Sequence, residues 1–330
     1  MDVLSDVLRV IRLKGSLFVN AEFHEPWCVA TPSDAELAPI LSPTSEHMSI
    51  CHLIVEGRCW AQLPGSEAVA LEAGDVVVLP HGDAHLLGSG TNHAPLAVRD
   101  AIEVKVPELT SIRYGGDGAA TVVVCGWFAY ERHVASPVMA ALPRLFRTSI
   151  RQRPSGAWLE NSIRYALGEA ASGRAGCDVI ADKLAEVLFV EALRGYIEAL
   201  PDQQTGWLAG MRDPLIGRSI ELLHEQPARA WTVASLAQAV YVSRTVLAER
   251  FVALTGIPPM QYLTEWRMAL AAHLLRSSRL SLTRIAEQIG YESEAAFSRA
   301  FKREYGAPPG VWRRMGSSRL ENSESAHRAN

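Results

Sequence analysis

The sequence predicts an α+β protein with a β-rich N-terminal domain, followed by helices, and an all-α C-terminal domain. Three observations support this prediction. Short alternating or apolar runs occupy the first 130 residues, helical periodicity begins near residue 137, and the net charge changes sign between the two parts. At about 150 residues per domain, a chain of 330 residues also suffices for roughly two domains.

The composition is that of an ordinary globular protein, but the charge is unevenly divided. The chain is 48% hydrophobic and 21% charged, which excludes disordered and collagen-like proteins. Residues 1–200 carry 16 Lys and Arg against 24 Asp and Glu, whereas residues 201–330 carry 16 against 12. The overall charge of −4 therefore averages an acidic part and a basic part. The basic part favours a polyanionic partner.

No targeting or membrane segment is expected. Acids stand at Asp2 and Asp6, where a signal peptide would be basic, and the longest strongly apolar run is residues 122–130. A membrane helix needs about 20 such residues. The five cysteines are odd in number and form no C-x-x-C pair, so we expect neither a disulfide framework nor a cysteine zinc site. These features predict a soluble, cytoplasmic protein.

The β-rich part is predicted from short runs that Gly, Pro, Asn and Asp interrupt. The runs are residues 16–23, 48–55, 59–63, 75–79 and 120–130, a pattern typical of a sandwich or small barrel. Beyond residue 137 the apolar spacing predicts two or three amphipathic helices. The last of them, over residues 178–200, is apolar around most of its circumference. Internal packing explains this, and a dimer interface is the alternative.

The basic part contains a loose internal repeat with a period of about 50 residues. The first copy covers residues 232–259 and the second covers residues 281–309. Each copy has a small residue in a first helix, a serine that suits an N-cap, and a Gly-x-Pro-Pro stop signal. Helix, tight turn and capped helix together describe a helix-turn-helix unit, whose second helix enters the major groove of DNA. Two units in tandem are a stronger signal than one.

A connecting helix is predicted between the two units, from residue 260 to residue 277, because apolar residues recur there at helical spacing. At 1.5 Å per residue it would be roughly 27 Å long. Two second helices separated in this way could reach successive major grooves, about 34 Å apart.

Residues 215–315 resemble the DNA-binding domain of the AraC/XylS family of bacterial transcription regulators. The second unit carries the family pattern I-A-x3-G-Y-x-S-x3-F-x-R-x-F-K, from Ile285 to Lys302. The first unit departs from it at Tyr241, where the family often has a small residue. The predicted domains are residues 1–200 for effector sensing and dimerisation, 201–213 as a linker, 214–316 for the tandem helix-turn-helix, and 317–330 as a flexible tail.

The resemblance assigns two classes of DNA-facing residues. The first class lies at the start of each second helix and faces the bases: Arg244, Thr245, Ala248, Glu249, Glu294, Ala295, Ser298 and Arg299. Arg299 is the strongest candidate for a base contact, because a guanidinium can bind guanine through two hydrogen bonds. The second class suits phosphate contacts, which position a protein without reading sequence: Ser243, Arg250, Lys302, Arg303, Arg313 and Arg314.

Residues 74–85 fit the pattern G-x5-P-x-G-x2-H, which resembles the second motif of cupin barrels. The first cupin motif is half present, because His52 and Glu56 fit H-x3-E but Ile50 replaces the other histidine. Three interpretations follow: a metal-free effector pocket or a purely structural barrel, a regulatory site for zinc or a similar divalent metal on His52 and His85, and a catalytic metal centre. Catalysis would need about three ligands. The rest of residues 1–200 resembles the cupin-type regulatory domain of one branch of the AraC/XylS family.

The cysteines suggest a second way of sensing. Cys51 and Cys59 could approach across paired strands and respond to an oxidant, although a buried free cysteine is the commoner fate.

The resemblance implies a non-enzymatic transcription regulator, of the activator type, that binds double-stranded promoter DNA as a homodimer and contacts RNA polymerase. A small molecule, metal or oxidant sensed in the N-terminal domain would control it. The alternative is a metal-dependent cupin enzyme with an appended DNA-binding domain. The sequence identifies neither the effector nor the promoter.

Overall fold

The computed structural model describes residues 2–11, 14–41, 47–90, 94–97, 110–130, 139–172, 174–201 and 206–314. The chain forms two compact units. The β unit comprises Leu13–Tyr130 and Leu142–Leu200, and the helical unit comprises Met1–Arg12, Glu131–Ala141 and Pro201–Asn330. No helix within the described ranges is long and apolar enough to cross a membrane.

Eleven described strands build two sheets in the β unit. In chain order they are β1 (Lys14–His24), β2 (Trp27–Thr31), β3 (His47–Glu56), β4 (Arg58–Gln62), β5 (Val69–Glu72), β6 (Asp75–Leu79), β7 (His85–Ser89), β8 (Leu96–Ala97), β9 (Thr110–Gly115), β10 (Ala120–Tyr130) and β11 (Phe146–Ser149). One sheet has the order β11-β6-β3-β10-β1-β9, and the other β5-β4-β7-β2-β8. The predicted β-rich fold is confirmed.

Both sheets contribute side chains to one apolar core. Phe23, Ile54 and Val123 come from the first sheet, and Trp27 and Leu87 come from the second. Strands β3 and β6 are buried over almost their whole length, which explains why their sequences read as continuous apolar runs rather than as alternating ones. Any polar side chain on the inner face of these strands therefore lies in an apolar environment.

Among the described residues, three helices accompany the sheets: α2 (Asp34–Leu41), α3 (Gly156–Ala171) and α4 (Cys177–Ala199). Helix α4 packs against α3, β1 and β11. Its Phe189 ring lies 4.8 Å from the ring of Phe128 on β10. Burial against the sheet accounts for most of its apolar circumference, yet Val179 and Ile180 at its start stay exposed.

Eight described helices form the helical unit. They are α1 (Val3–Ile11), α5 (Trp207–Arg212), α6 (Pro214–Glu225), α7 (Val233–Ala239), α8 (Arg244–Thr255), α9 (Pro259–Ser277), α10 (Leu282–Gln288) and α11 (Glu294–Tyr305). Helices α7 and α8 form the first helix-turn-helix unit, and α10 and α11 form the second. Helix α9 connects them and packs against α1, α6, α8, α10 and α11.

The start and stop signals of the second helices act as predicted. The Oγ atoms of Ser243 and Ser293 accept hydrogen bonds from backbone N–H groups three residues later, both at 3.2 Å. Gly256 and Gly306 end the helices in the left-handed conformation, with φ of 79° and 72°. The two copies of the repeat therefore have the same boundaries.

The turns of the two units adopt the same backbone conformation with different residues. Gly290 has φ of 80° in the second unit, and Tyr241 has φ of 60° at the corresponding position of the first. A side chain in this region costs roughly 1–2 kcal/mol. The first turn therefore keeps the family geometry at an energetic cost, with the Tyr241 side chain 95% exposed.

The compact units divide the chain differently from the predicted boundaries in two places. The residues of helix α1 were assigned to the N-terminal domain, but in the structure they belong to the helical unit. Val7, Val10 and Ile11 are buried there, and the helix packs against α6 and α9. The predicted linker is partly folded, because α5 buries Trp207 and Leu208 and the carboxylate of Asp213 caps α6. The predicted tail lies outside the described residues.

We predict that Gly290→Ala destabilises the helical unit more than Gly306→Ala does. Both changes place a Cβ at positive φ, which costs roughly 1–2 kcal/mol. At Gly290 the Cβ would also lie 2.7 Å from the Ala228 carbonyl oxygen, whereas nothing lies within 4 Å of a Cβ at Gly306. Calorimetric unfolding of the full chain measures the difference, expected to be about 1 kcal/mol or more. Equal losses in the two variants would contradict the close approach at Gly290.

Candidate nucleic-acid interface and buried polar chain

The predicted base-facing residues occupy the outer surface of α8 and α11. Leu247 and Phe251 turn inward from α8, and Phe297 and Phe301 turn inward from α11. The predicted residues lie on the other side of each helix: Arg244, Thr245, Glu249, Glu294, Ala295 and Arg299 are exposed, and Ala248 and Ser298 are half-buried. The structure therefore brings each predicted set together at the N-terminal end of its helix.

Arg244 and Arg299 carry exposed guanidinium groups, at the first residue of α8 and at the sixth residue of α11. Among the described residues, neither has a carboxylate partner within ion-pair distance. Glu294, by contrast, accepts a hydrogen bond of 2.7 Å from the hydroxyl of Thr283 on α10. That bond ties the start of α11 to the first helix of its unit. The two arginines are thus the base-facing side chains that carry unneutralised positive charge.

The predicted phosphate contacts include three exposed cationic residues and two arginines that pair within the helical unit. Lys302, Arg303 and Arg314 are exposed. The guanidinium of Arg250 pairs with Asp213, donating from Nε at 3.0 Å, and Arg313 donates from Nη2 to the Leu280 carbonyl at 2.6 Å. These two arginines join elements of the helical unit.

Two further exposed residues lie beside the predicted base-facing set, and the sequence analysis assigned neither of them a DNA contact. Tyr241 is 95% exposed in the first turn, and Val246 is 48% exposed in the first turn of α8. An apolar group beside a recognition helix can contact a thymine methyl. The signal was present in the sequence, because Val246 does not share the inward spacing of Leu247 and Phe251.

A buried aromatic stack holds α9 in place. The rings of His224 on α6 and Trp266 on α9 are parallel, with centroids 3.7 Å apart. The hydroxyl of Tyr262 lies 2.8 Å from Nε2 of His224 and accepts from Nε1–H of Trp207 at 3.3 Å. Burial lowers the pKa of His224 to about 3, so its imidazole is neutral near pH 7. The stack therefore joins α5, α6 and α9 without a buried charge.

In the β unit, the two predicted histidines meet in the apolar core. Nε2 of His52 lies 2.7 Å from Nε2 of His85, and Nδ1 of His52 lies 2.9 Å from Sγ of Cys125. Cys125 stands opposite His52 in the β3–β10 register. Nδ1 of His85 lies 2.8 Å from the Asp83 carbonyl oxygen. His52 and His85, which were predicted to share a site, are neighbours. The contact of Cys125 with His52 was not predicted.

The backbone carbonyl fixes every proton in this chain of groups. Since the Asp83 oxygen can only accept, Nδ1 of His85 donates and its Nε2 accepts. His52 then donates from Nε2 and accepts at Nδ1 from the thiol of Cys125. Burial lowers the pKa of His52, with His85 adding to the effect, and burial raises the pKa of Cys125. The resting chain is therefore neutral, with both histidines unprotonated and Cys125 a thiol.

The residues around this chain do not fit a cupin metal centre. Two nitrogen ligands of a tetrahedral zinc ion would lie about 3.3 Å apart, whereas the two Nε2 atoms are hydrogen-bonded at 2.7 Å. Glu56 is exposed and binds Arg164 at 2.8 Å. Nδ1 of His47 lies 3.5 Å from Oδ2 of Asp34. Among the described residues no group of three or more His, Cys, Asp or Glu could hold a metal ion.

Cys51 and Cys59 lie on strands that do not pair. Cys51 is on β3 of the six-stranded sheet and Cys59 is on β4 of the five-stranded sheet, which corrects the expectation that they approach across paired strands. Both are buried free cysteines. Burial raises the pKa of each to about 12, and a protonated thiol is a poor nucleophile. A redox role for this pair stays a prediction.

The buried histidines predict a loss of stability in mild acid. Burial, opposed by the Asp83 hydrogen bond, lowers the pKa of His85 to about 4, against about 6.5 in an unfolded chain. Below pH 6.5 the unfolded chain binds a proton that the folded unit rejects, so stability falls as the pH approaches 4. We expect His85→Gln to show a shallower dependence of unfolding free energy on pH between 7 and 5.

His81→Gln is the control, because His81 is an exposed histidine two residues before Asp83. It should keep the pH dependence of the wild type. An unchanged slope in His85→Gln would show that His85 does not titrate as the buried chain requires.

Comparison with known families places both units. A family model described as "Cupin" matches residues 2–198, and one described as "Helix-turn-helix domain" matches residues 236–315. Together they span the β unit with its helices and most of the helical unit.

Relatives match over almost the whole chain. A putative AraC-like transcription regulator of Streptomyces antibioticus is 32% identical over 95% of this chain and 99% of its own length. The regulator AlkR of Acinetobacter baylyi is 28% identical over 96% of this chain and 100% of its own length. The activator RclR of Escherichia coli is 28% identical over 95% of this chain and 97% of its own length. Among solved structures, the DNA-binding domain of AdpA with a target DNA is 32% identical, covers 32% of this chain and 96% of that chain, and has a TM-score of 0.31.

Proposed function

Because this chain belongs to the AraC-like transcription regulators that carry an N-terminal cupin domain, we propose that it reads two DNA sites with Arg244 and Arg299. It is a DNA-binding transcription regulator; the roles of individual residues are the proposal. One observation carries it: in the N-terminal half of each second helix, at the first residue of α8 and the sixth of α11, an exposed guanidinium has no carboxylate partner among the described residues. In a helix-turn-helix, that end faces the base edges.

Each arginine would bind a guanine in the major groove through two hydrogen bonds. Val246 and Tyr241 would add apolar contact in the first unit. Lys302, Arg303 and Arg314 would contact phosphates, which sets the register of the protein on the duplex. The pairing of Arg250 with Asp213 supports a structural role for that residue, and the same holds for Arg313 with the Leu280 carbonyl.

We further propose that the β unit senses a signal and acts without catalysis. The described residues supply two imidazoles in direct contact and no third ligand, so they do not suit a catalytic metal. The relatives are named as transcription regulators, which supports regulation over turnover. The effector would be a small molecule that competes for the hydrogen bonds of the Cys125–His52–His85 chain. A regulatory metal on His52 and His85 would first have to separate the two rings.

A homodimer is the assembly that the exposed apolar residues support. Trp158 and Tyr165 on α3 are 58% and 56% exposed, and Val179 on α4 is 63% exposed. Aromatic side chains are enriched in the cores of protein interfaces. Since promoter DNA is the partner, the protein would act in the cytoplasm of a bacterial cell, and activation would involve contact with RNA polymerase, as the activator names of some relatives suggest.

We predict that Arg244→Ala and Arg299→Ala each relax specificity at a different base position. A lost pair of hydrogen bonds to guanine costs about 1–3 kcal/mol of discrimination at that position. The measurement is binding of the full chain to a randomised DNA library, followed by sequencing of the bound fraction. Lys302→Ala is the matched control, because it removes a positive charge from the same helix as Arg299.

The control should weaken binding to all sequences alike and make the affinity less dependent on salt. If Arg299→Ala behaves like Lys302→Ala, Arg299 contacts phosphate and the proposed reading is wrong.

A further inference from the structure

The helical unit encloses a cavity of about 450 Å³ that the DNA-binding role does not use. Its walls come from α1, α5, α9, the end of α8 and the end of α11. Val7 and Val10 of α1 form one side of it. A volume of this size lies within the range of cavities that hold drug-sized molecules.

Four aromatic residues belong to the lining. Trp207, Tyr262, Trp266 and Tyr305 all border the cavity, together with aliphatic side chains. Aromatic faces carry negative partial charge and attract organic cations within about 6 Å. An apolar molecule would be buried on most sides here, and a cationic one would gain from the rings as well.

The charged residues of the lining have one sign. Glu265 and Glu304 border the cavity, and no Lys, Arg or His belongs to its lining among the described residues. Glu304 is exposed and Glu265 is half-buried, with Glu265 accepting a 3.0 Å hydrogen bond from the Gln261 side chain. An acidic lining is unexpected in a unit whose outer surface is basic. It disfavours anions such as fatty acids and favours cations.

The lining also contains an unsatisfied polar group. The indole Nε1–H of Trp266 is buried and has no hydrogen-bond partner in the described part of the chain, while the residue is 8% exposed. An unpaired buried donor costs about 1–3 kcal/mol.

We propose that this cavity binds a hydrophobic organic cation, with its apolar body on the aromatic rings and its positive group at Glu265 and Glu304. The occupant would contact the C-terminal ends of both recognition helices, α8 and α11, and the helix that connects them. Ligand binding would therefore bias the arrangement in which the two helices meet DNA, and DNA would bias ligand affinity by the same factor. This site is separate from the His52–His85–Cys125 chain.

The test is calorimetric titration of the full chain with tetraphenylphosphonium and with tetraphenylborate. The two ions have nearly the same shape and apolar surface but opposite charge. We expect saturable 1:1 binding of the cation and at least tenfold weaker binding of the anion. The double variant Glu265→Gln, Glu304→Gln should weaken cation binding at least tenfold, because both carboxylates are lost while side-chain size is kept.

Glu292→Gln is the matched control, since Glu292 is an exposed carboxylate of the same unit that does not border the cavity. It should bind the cation like the wild type. Circular dichroism and operator binding of each variant confirm that the helical unit is folded. Equal affinity for the two ions, absence of cation binding, or cation binding that survives the double variant would each overturn the proposal. None of these outcomes bears on DNA recognition by Arg244 and Arg299.

Discussion

The arrangement of the helical unit depends on helix α9 and on the contacts that fix it. Its 19 residues span about 28 Å, and both helix-turn-helix units pack against it. The stack of Trp266 on His224 and the hydrogen bonds of the Tyr262 hydroxyl join α9 to α5 and α6. Because a packed core is not continuously deformable, the distance between the two recognition helices is set by this one helix. The spacing of the DNA sites follows from it.

The two faces of each recognition helix have different roles. Phe251, Phe297 and Phe301 are fully buried and hold α8 and α11 on the scaffold, which leaves Arg244 and Arg299 exposed for DNA. The β unit differs in that its core contains hydrogen-bonded polar groups. Its polar chain lies in an apolar core, and each member satisfies the next, so the site is neutral and ordered until something competes for its hydrogen bonds.

Local signals allowed much of this organisation to be predicted. Serine caps, C-terminal glycines and paired prolines determine helix ends within a few residues, so both units and the exposed faces of α8 and α11 could be located. The contact between His52 and His85 could be expected from the half-present cupin motif. Cys125 could not, because its position opposite His52 depends on the register of a strand 73 residues away.

Long-range packing could not be predicted either, because it depends on residues that are far apart in the sequence. The apolar spacing of α1 shows that one face is buried but not that α6 and α9 bury it. The pairing of Arg250 with Asp213 joins residues 37 apart, and it engages a guanidinium that was predicted to contact phosphate. Tyr241 was identified as a departure from the family pattern, and only the backbone shows that the turn geometry is retained at the cost of a strained φ.

The most direct test of the central claim is the response of DNA affinity to the spacing of the two base sites. The full chain would be titrated with its selected operator and with operators carrying five or ten additional base pairs between the positions read by Arg244 and Arg299. If α9 holds the two helices rigidly, five base pairs place the second site on the opposite face of the duplex, and ten place it a full turn too far. Both should reduce affinity to the level of one site plus non-specific binding. Unchanged affinity with either insertion would contradict a fixed scaffold.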